Sequence, residues 1–145
     1  WPREQVQEFE SLPGDGSAIN NSSISLIIKS GSLSLFTAGD IEPEVQELIT
    51  NSGFLTEVDI LKINHHGSRY QDLDLIRELS PALAVISVGE GNSYGHPAAS
   101  TISALTDLHA KVLRTDIDGA VAIRAERHRL SIQRSKRWLR FFFWS

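Results

Sequence analysis

Apolar residues recur along this chain in short runs broken by polar turns. Ile24, Leu26 and Ile28 alternate with Ser25, Ile27 and Lys29, which predicts a half-buried strand over residues 24–29. Residues 33–38 predict a second strand. The connector Ser30-Gly31-Ser32 is short enough for a hairpin, with Gly31 free to take a positive φ. Beyond Gly39 and Asp40, Pro43 and Glu44 open a helix whose apolar stripe is Val45, Leu48 and Ile49 and whose end is Asn51-Ser52-Gly53. Residues 58–63 predict a buried strand. A helix over residues 71–79 carries Leu73, Ile76 and Leu79 and closes at Ser80-Pro81. Residues 83–88 are apolar at nearly every position, as a strand buried on both faces requires. Ser100 or Thr101 caps a helix bearing Ile102, Leu105 and Leu108. Strands at 111–114 and 120–124 flank a hairpin turn at Asp116-Ile117-Asp118-Gly119, and residues 129–134 add an edge strand. Residues 1–22 are rich in turn formers and read as irregular. The order β-β-α-β-α-β-α-β-β predicts an α/β layered sheet.

Chemistry collects where these strands end. Residues 58–63 run directly into Asn64-His65-His66-Gly67-Ser68. Asp40 follows the second strand, and His96 lies in the glycine-rich loop 89–97 after the fourth. Open α/β sheets bind ligands beyond the carboxyl ends of their strands. Asp, His-His and His from three such ends therefore make a candidate site for metal or phosphoryl chemistry. One of the adjacent histidines would coordinate and the other would orient substrate or act as an acid. Gly67 would turn the backbone away, and Ser68 would cap the next helix. Plainer roles stand beside each assignment: Asp40 as a turn residue or helix cap, His96 as a loop cap, Asn92 and Tyr94 as loop stabilisers. His109 and His128 have no partner in the pattern and read as surface residues. The Asp116–Asp118 turn lacks the ligands of a calcium loop.

Composition narrows the classes. The 145 residues are 41% hydrophobic and 22% charged, as in one globular domain. No apolar run reaches the roughly 20 residues of a membrane helix, and no signal peptide is visible. The chain has no Cys, so metal ligands would be His, Asp or Glu. It has no Met either, even at its start, which leads to the expectation of a piece of a longer protein. The net charge of −4 is uneven: residues 124–145 hold seven Arg or Lys against one Glu, or +6, leaving −10 on residues 1–123. Residues 135–145 form a basic, aromatic tail. It is read either as a contact for phosphate, a membrane surface or an acidic partner, or as a solvated terminus.

Five blocks in series, NNSSISLII, FTAGDIEPEVQELI, DILKINHHGS, SVGEGNSYGHP and LRTDIDGAVAI, resemble the metallo-β-lactamase-like domain at the C-terminus of the ComEC family, the DNA-uptake channels of competent bacteria. The resemblance covers about residues 18–124, within a partial domain of residues 1–134. It implies an αββα sandwich of which this chain is the C-terminal half, with two divalent ions, zinc or manganese, in the complete domain. It also implies a nuclease that degrades the strand not imported. On the same grounds Asp40 is the bridging metal ligand. His66, with His65 as alternative, is the last metal histidine, and His65 and His96 are catalytic. Asn21 matches an asparagine of structural role. Partners implied are DNA and the rest of a plasma-membrane channel, with this segment on the extracytoplasmic side. The family's main ligand motif, H-x-H-x-D-H or H-x-D-x-D-H, is absent, and no histidine precedes His65. The fragment alone is therefore expected to bind metal poorly, with one sheet face uncovered, and to be inactive. The rival expectation is a non-catalytic module that binds DNA or packs on the channel. A further one keeps the fold with a different phosphodiester substrate.

Overall fold

A computed structural model of the chain describes residues 17–126 and 129–135. The elements are α1 (Ser17–Asn21), β1 (Leu26–Ser30), β2 (Leu33–Thr37), α2 (Pro43–Thr50), β3 (Ile60–Lys62), a 3₁₀ turn (Asn64–Gly67), α3 (Leu73–Leu79), β4 (Leu83–Ile86), α4 (Ala99–Asp107), β5 (Lys111–Arg114), α5 (Thr115–Asp118), β6 (Val121–Glu126) and β7 (Arg129–Arg134). The first five strands form one sheet in the order β1-β2-β3-β4-β5. The β1–β2 hairpin is antiparallel, and β2 to β5 run parallel. The α/β expectation holds.

Period-two alternation sorts the side chains onto two faces. Phe36, Leu61, Ala84 and Ile86 face α2, α3 and α4, where Val45, Ile49, Leu75, Ile76, Leu79 and Leu105 complete the main core. Ile60, Leu83 and Leu113 point the other way and pack with Leu35, Val85 and the β6–β7 hairpin residues Val121, Ile123 and Ile132. The register agrees, because Leu35 pairs with Ile60, Ile60 with Leu83, and Phe36 with Leu61. That hairpin does not reach β1, whose Leu26 and Ile28 stay 47% and 45% exposed. The uncovered face expected from the sequence is thus confined to the β1 end of the sheet among the described residues.

Several local expectations are corrected. Residues 17–21 form the short α1 rather than an irregular lead. Residues 111–114 and 120–124 do not form a hairpin: β5 pairs with β4, and β6 pairs with β7 in a separate two-stranded sheet. The intervening Thr115–Asp118 is a helical turn. Asp118 Oδ2 accepts from the Arg114 amide and Oδ1 from Arg134, which ties that turn to β7. In α2, Leu48 is exposed and Gln46 is buried instead. Gln46 is satisfied there because Nε2 donates to the Ile41 carbonyl and Oε1 accepts from the Asp72 amide. Leu73 is likewise exposed, with Leu75 taking its place in the core. Helix α3 begins two residues later than expected because Asp72, not Ser68, is its cap, its Oδ1 accepting from the Asp74 amide. Helix α4 starts from Ala98, and Thr101 lies inside it, buried, donating to the Ser68 carbonyl. Residues 1–16, His128 and residues 136–145 of the expected tail lie outside the described residues.

Candidate functional site at the strand ends

Because β2, β3, β4 and β5 are parallel neighbours, their carboxyl ends share one edge of the sheet. The loops that follow bring Asp40, His65, His66 and His96 together there, as the sequence predicted.

The loop after β2 is held from behind. Asn21 Oδ1 accepts from the Glu42 amide at 2.8 Å, Asn20 Nδ2 donates to Glu42 Oε1 at 3.0 Å, and Ser23 Oγ accepts from the Asp40 amide at 3.3 Å. Asn21 is thereby tied to the residue that precedes α2. From β3, Lys62 bridges the same region: its ammonium donates to the Ala38 carbonyl at 3.1 Å. Burial lowers the Lys62 pKa, and the negative Asp40 partly restores it.

The His-His turn is conformationally unusual. His65 has φ 44° and ψ 48°, and His66 has φ 52° and ψ 20°, a left-handed conformation that disfavours side chains. The turn splays the two imidazoles, with ring centroids 6.4 Å apart and planes at 70°. His66 Nε2 comes to 3.6 Å from Asp40 Oδ2, while its Nδ1 lies 2.6 Å from the Ser87 carbonyl. His65 turns to the other side: Nδ1 lies 3.1 Å from Glu42 Oε1, at an angle that falls short of a hydrogen bond. Its ring centroid is 5.6 Å from that of His96. Glu42 and Lys62 are site neighbours that sequence reasoning missed. The available signal was Asp40-Ile41-Glu42, two carboxylates separated by one apolar residue.

His96 sits in the loop after β4, which Asn92 braces by donating to the His96 carbonyl at 2.7 Å and accepting from the His96 amide at 3.2 Å. The loop's entry is fixed by Thr115, whose hydroxyl accepts from the Val88 amide and donates to the Val88 carbonyl, both at 2.7 Å. The His96 pKa is pushed below 6.5, chiefly by burial of the imidazole. Positive charge on His65, His66 and Arg69 adds to this, and Asp40 opposes it. Tyr94 stacks on His96 within the same loop and stands open to solvent. His109 is exposed, as expected.

The donor chemistry suits a divalent cation. The Ser87 carbonyl can only accept, so His66 Nδ1 carries the proton, and in the neutral ring the Nε2 lone pair faces the Asp40 carboxylate. A backbone partner on the far ring nitrogen is the usual outer support of a metal histidine. Among the described residues, however, no group of three His, Asp or Glu converges as a metal would require. Asp40 and His66 supply two donors of suitable chemistry, and no third joins them among the described residues. No helix among the described residues is long and apolar enough to cross a membrane.

No family model matches the chain. Over 111 residues it is 35% identical to ComE operon protein 3 of Bacillus subtilis (strain 168), covering 76% of this chain and 14% of that protein. Over 120 residues it is 28% identical to recombination protein 2 of Haemophilus influenzae, covering 82% of this chain and 15% of that protein. Competence protein ComA of Neisseria gonorrhoeae is 28% identical over 149 residues, 99% of this chain and 21% of that protein. The chain spans only 14% to 21% of the length of these relatives. Its similarity over most of its length to these competence proteins fits one segment of a ComEC-family protein.

Proposed function

We propose that this segment serves DNA uptake in transformation, within a longer membrane-associated channel protein, and contributes two ligands to a metal-dependent site that hydrolyses the phosphodiesters of the strand not imported. The observation that carries the reading is the convergence of Asp40 Oδ2 and His66 Nε2, with the far nitrogen of His66 held by a carbonyl. Two divalent ions, zinc or manganese, would be held by Asp40 and His66 together with donors from the rest of the protein. When bound, such a pair supplies an activated water and positive charge at the phosphoryl oxygens.

The other residues act on the substrate side. Glu42 lies beside His65 Nδ1, and the His65 ring faces His96. The two imidazoles stand where they can stabilise charge on a phosphate or give a proton to the departing oxygen. We place the segment on the extracytoplasmic side of the plasma membrane, where the strand to be degraded is first met. A second reading, a non-catalytic module that binds DNA or packs on the channel, is favoured by the lack of a third donor group among the described residues.

The test is the metal content of the intact parent protein beside its Asp40→Ala and His66→Ala variants, each assayed for zinc- or manganese-dependent cleavage of DNA. Two metals per chain, with metal and cleavage lost in both variants, is the expected result. A folded parent with neither metal nor cleavage would sink the enzymatic reading and leave the binding module.

A further inference from the structure

Tyr94 is 82% exposed, although an aromatic ring in water forfeits the burial that usually holds such side chains inside. It is nonetheless not a free surface residue. Its ring stacks on His96, with planes at 16° and centroids 6.1 Å apart. The imidazole flanks the ring at this offset, and most of the ring surface stays open to solvent. The loop beneath is fixed at three points: Asn92 to His96, the Ala98 amide to the Gly67 carbonyl at 2.8 Å, and Thr115 to Val88. The ring is thus displayed on a braced support, which lowers the entropy lost when a flat ligand lands on it.

From this geometry we infer that Tyr94 is the stacking platform for a nucleobase of a single-stranded polynucleotide whose backbone passes the His65–His96 side of the site. This deepens the proposed function and rests on it for the identity of the substrate. An unpaired base exposes both π faces, whereas a base within a duplex exposes neither, so the platform selects unpaired strands. Stacking is indifferent to sequence, as a site that degrades DNA of any sequence requires. Arg69, exposed and near enough to His96 to lower its pKa, supplies positive charge for the adjoining phosphate.

The inference is tested by binding, in EDTA so that neither metal nor cleavage enters. The intact protein, Tyr94→Ala and Tyr94→Phe are titrated with labelled oligothymidylate and with an abasic oligomer of equal length and charge. The wild type should favour the base-bearing strand. Tyr94→Ala should lose about tenfold in affinity for it, as loss of one stacked base predicts, with abasic binding unchanged, and Tyr94→Phe should behave as wild type. The inference is overturned if the wild type binds neither strand or makes no distinction between them. It is also overturned if Tyr94→Ala keeps the distinction or weakens both strands equally, or if Tyr94→Phe behaves as Tyr94→Ala. A protein that passes this test yet neither holds metal nor cleaves DNA would retain the platform and lose only the hydrolytic reading.

Discussion

His66 Nε2 and Asp40 Oδ2 face one another at 3.6 Å, and each is an acceptor when the imidazole is neutral. The Ser87 carbonyl fixes the tautomer of that neutral ring by accepting a hydrogen bond from Nδ1–H. Two acceptors so placed repel unless a proton or a cation stands between them. Zinc added to the chain at neutral pH should therefore shift the His66 Nε2 resonance in nitrogen-detected spectra while Nδ1 stays protonated. The response should be weak, because the described residues offer only this donor pair, and Asp40→Asn should diminish it. A zinc response at Nδ1 instead would contradict the geometry.

Gly67 sits at φ +79°, where a Cβ would stand 2.7 Å from Pro97 Cβ and 3.2 Å from Pro97 Cα. The His-His turn and the loop carrying His96 meet at this point, so a side chain here would wedge the two halves of the site apart. Gly67→Ala should cost about 2–4 kcal/mol in urea unfolding, combining left-handed strain with overpacking. By contrast, Gly91→Ala meets no atom within 4 Å and is strained only by its φ of +69°. It should cost about 1 kcal/mol. Equal losses at the two positions would show that packing against Pro97 contributes nothing.

The difference between what is legible in the sequence and what is not has a physical basis. Strand ends carry a local signature, apolar runs that stop abruptly at polar chemistry, and in a parallel sheet neighbouring ends share one edge. Asp40, the His-His pair and His96 are therefore gathered by the sequence pattern alone. Glu42 is not, because its place beside His65 depends on Asn20 and Asn21, some twenty residues earlier, gripping its backbone and carboxylate. Periodicity misplaces Leu48 because three apolar residues at helical spacing already complete a stripe. The core instead takes Gln46, whose amide is fully used by Ile41 and Asp72. The expected β5–β6 hairpin fails for a related reason. A turn sequence does not say whether the strand before it is already committed to another partner, and β5 is committed to β4.

His96 should titrate below 6.5, since burial and the positive charges of His65, His66 and Arg69 outweigh the pull of Asp40. The depressed pKa means that the unfolded chain binds the proton more readily than the folded one. The contribution to stability is full above about pH 6.5. It declines as pH falls from there through the folded-state pKa. Imidazole carbon shifts followed against pH would give the midpoint, and Arg69→Gln should raise it. A midpoint at or above 6.5 in the wild type would mean that Asp40 dominates the local field.

The exposed pair on β1 gives the last prediction. Leu26 and Ile28 lie on the sheet face that β6 and β7 cover only further along, at Leu35 and beyond. An edge strand with apolar side chains in water invites association with any other apolar surface. In the 145-residue chain, Leu26→Lys with Ile28→Lys should change unfolding free energy by under about 1 kcal/mol, as for other exposed positions. It should also reduce self-association seen by sedimentation velocity. In a longer protein whose additional chain covers this face, the same two lysines would be forced out of water, and unfolding should become easier by several kcal/mol. The contrast between the two backgrounds therefore reports whether β1 is a true edge or an internal seam. Equal small effects in both would establish it as an edge, and the apolar pair would then need a partner in trans.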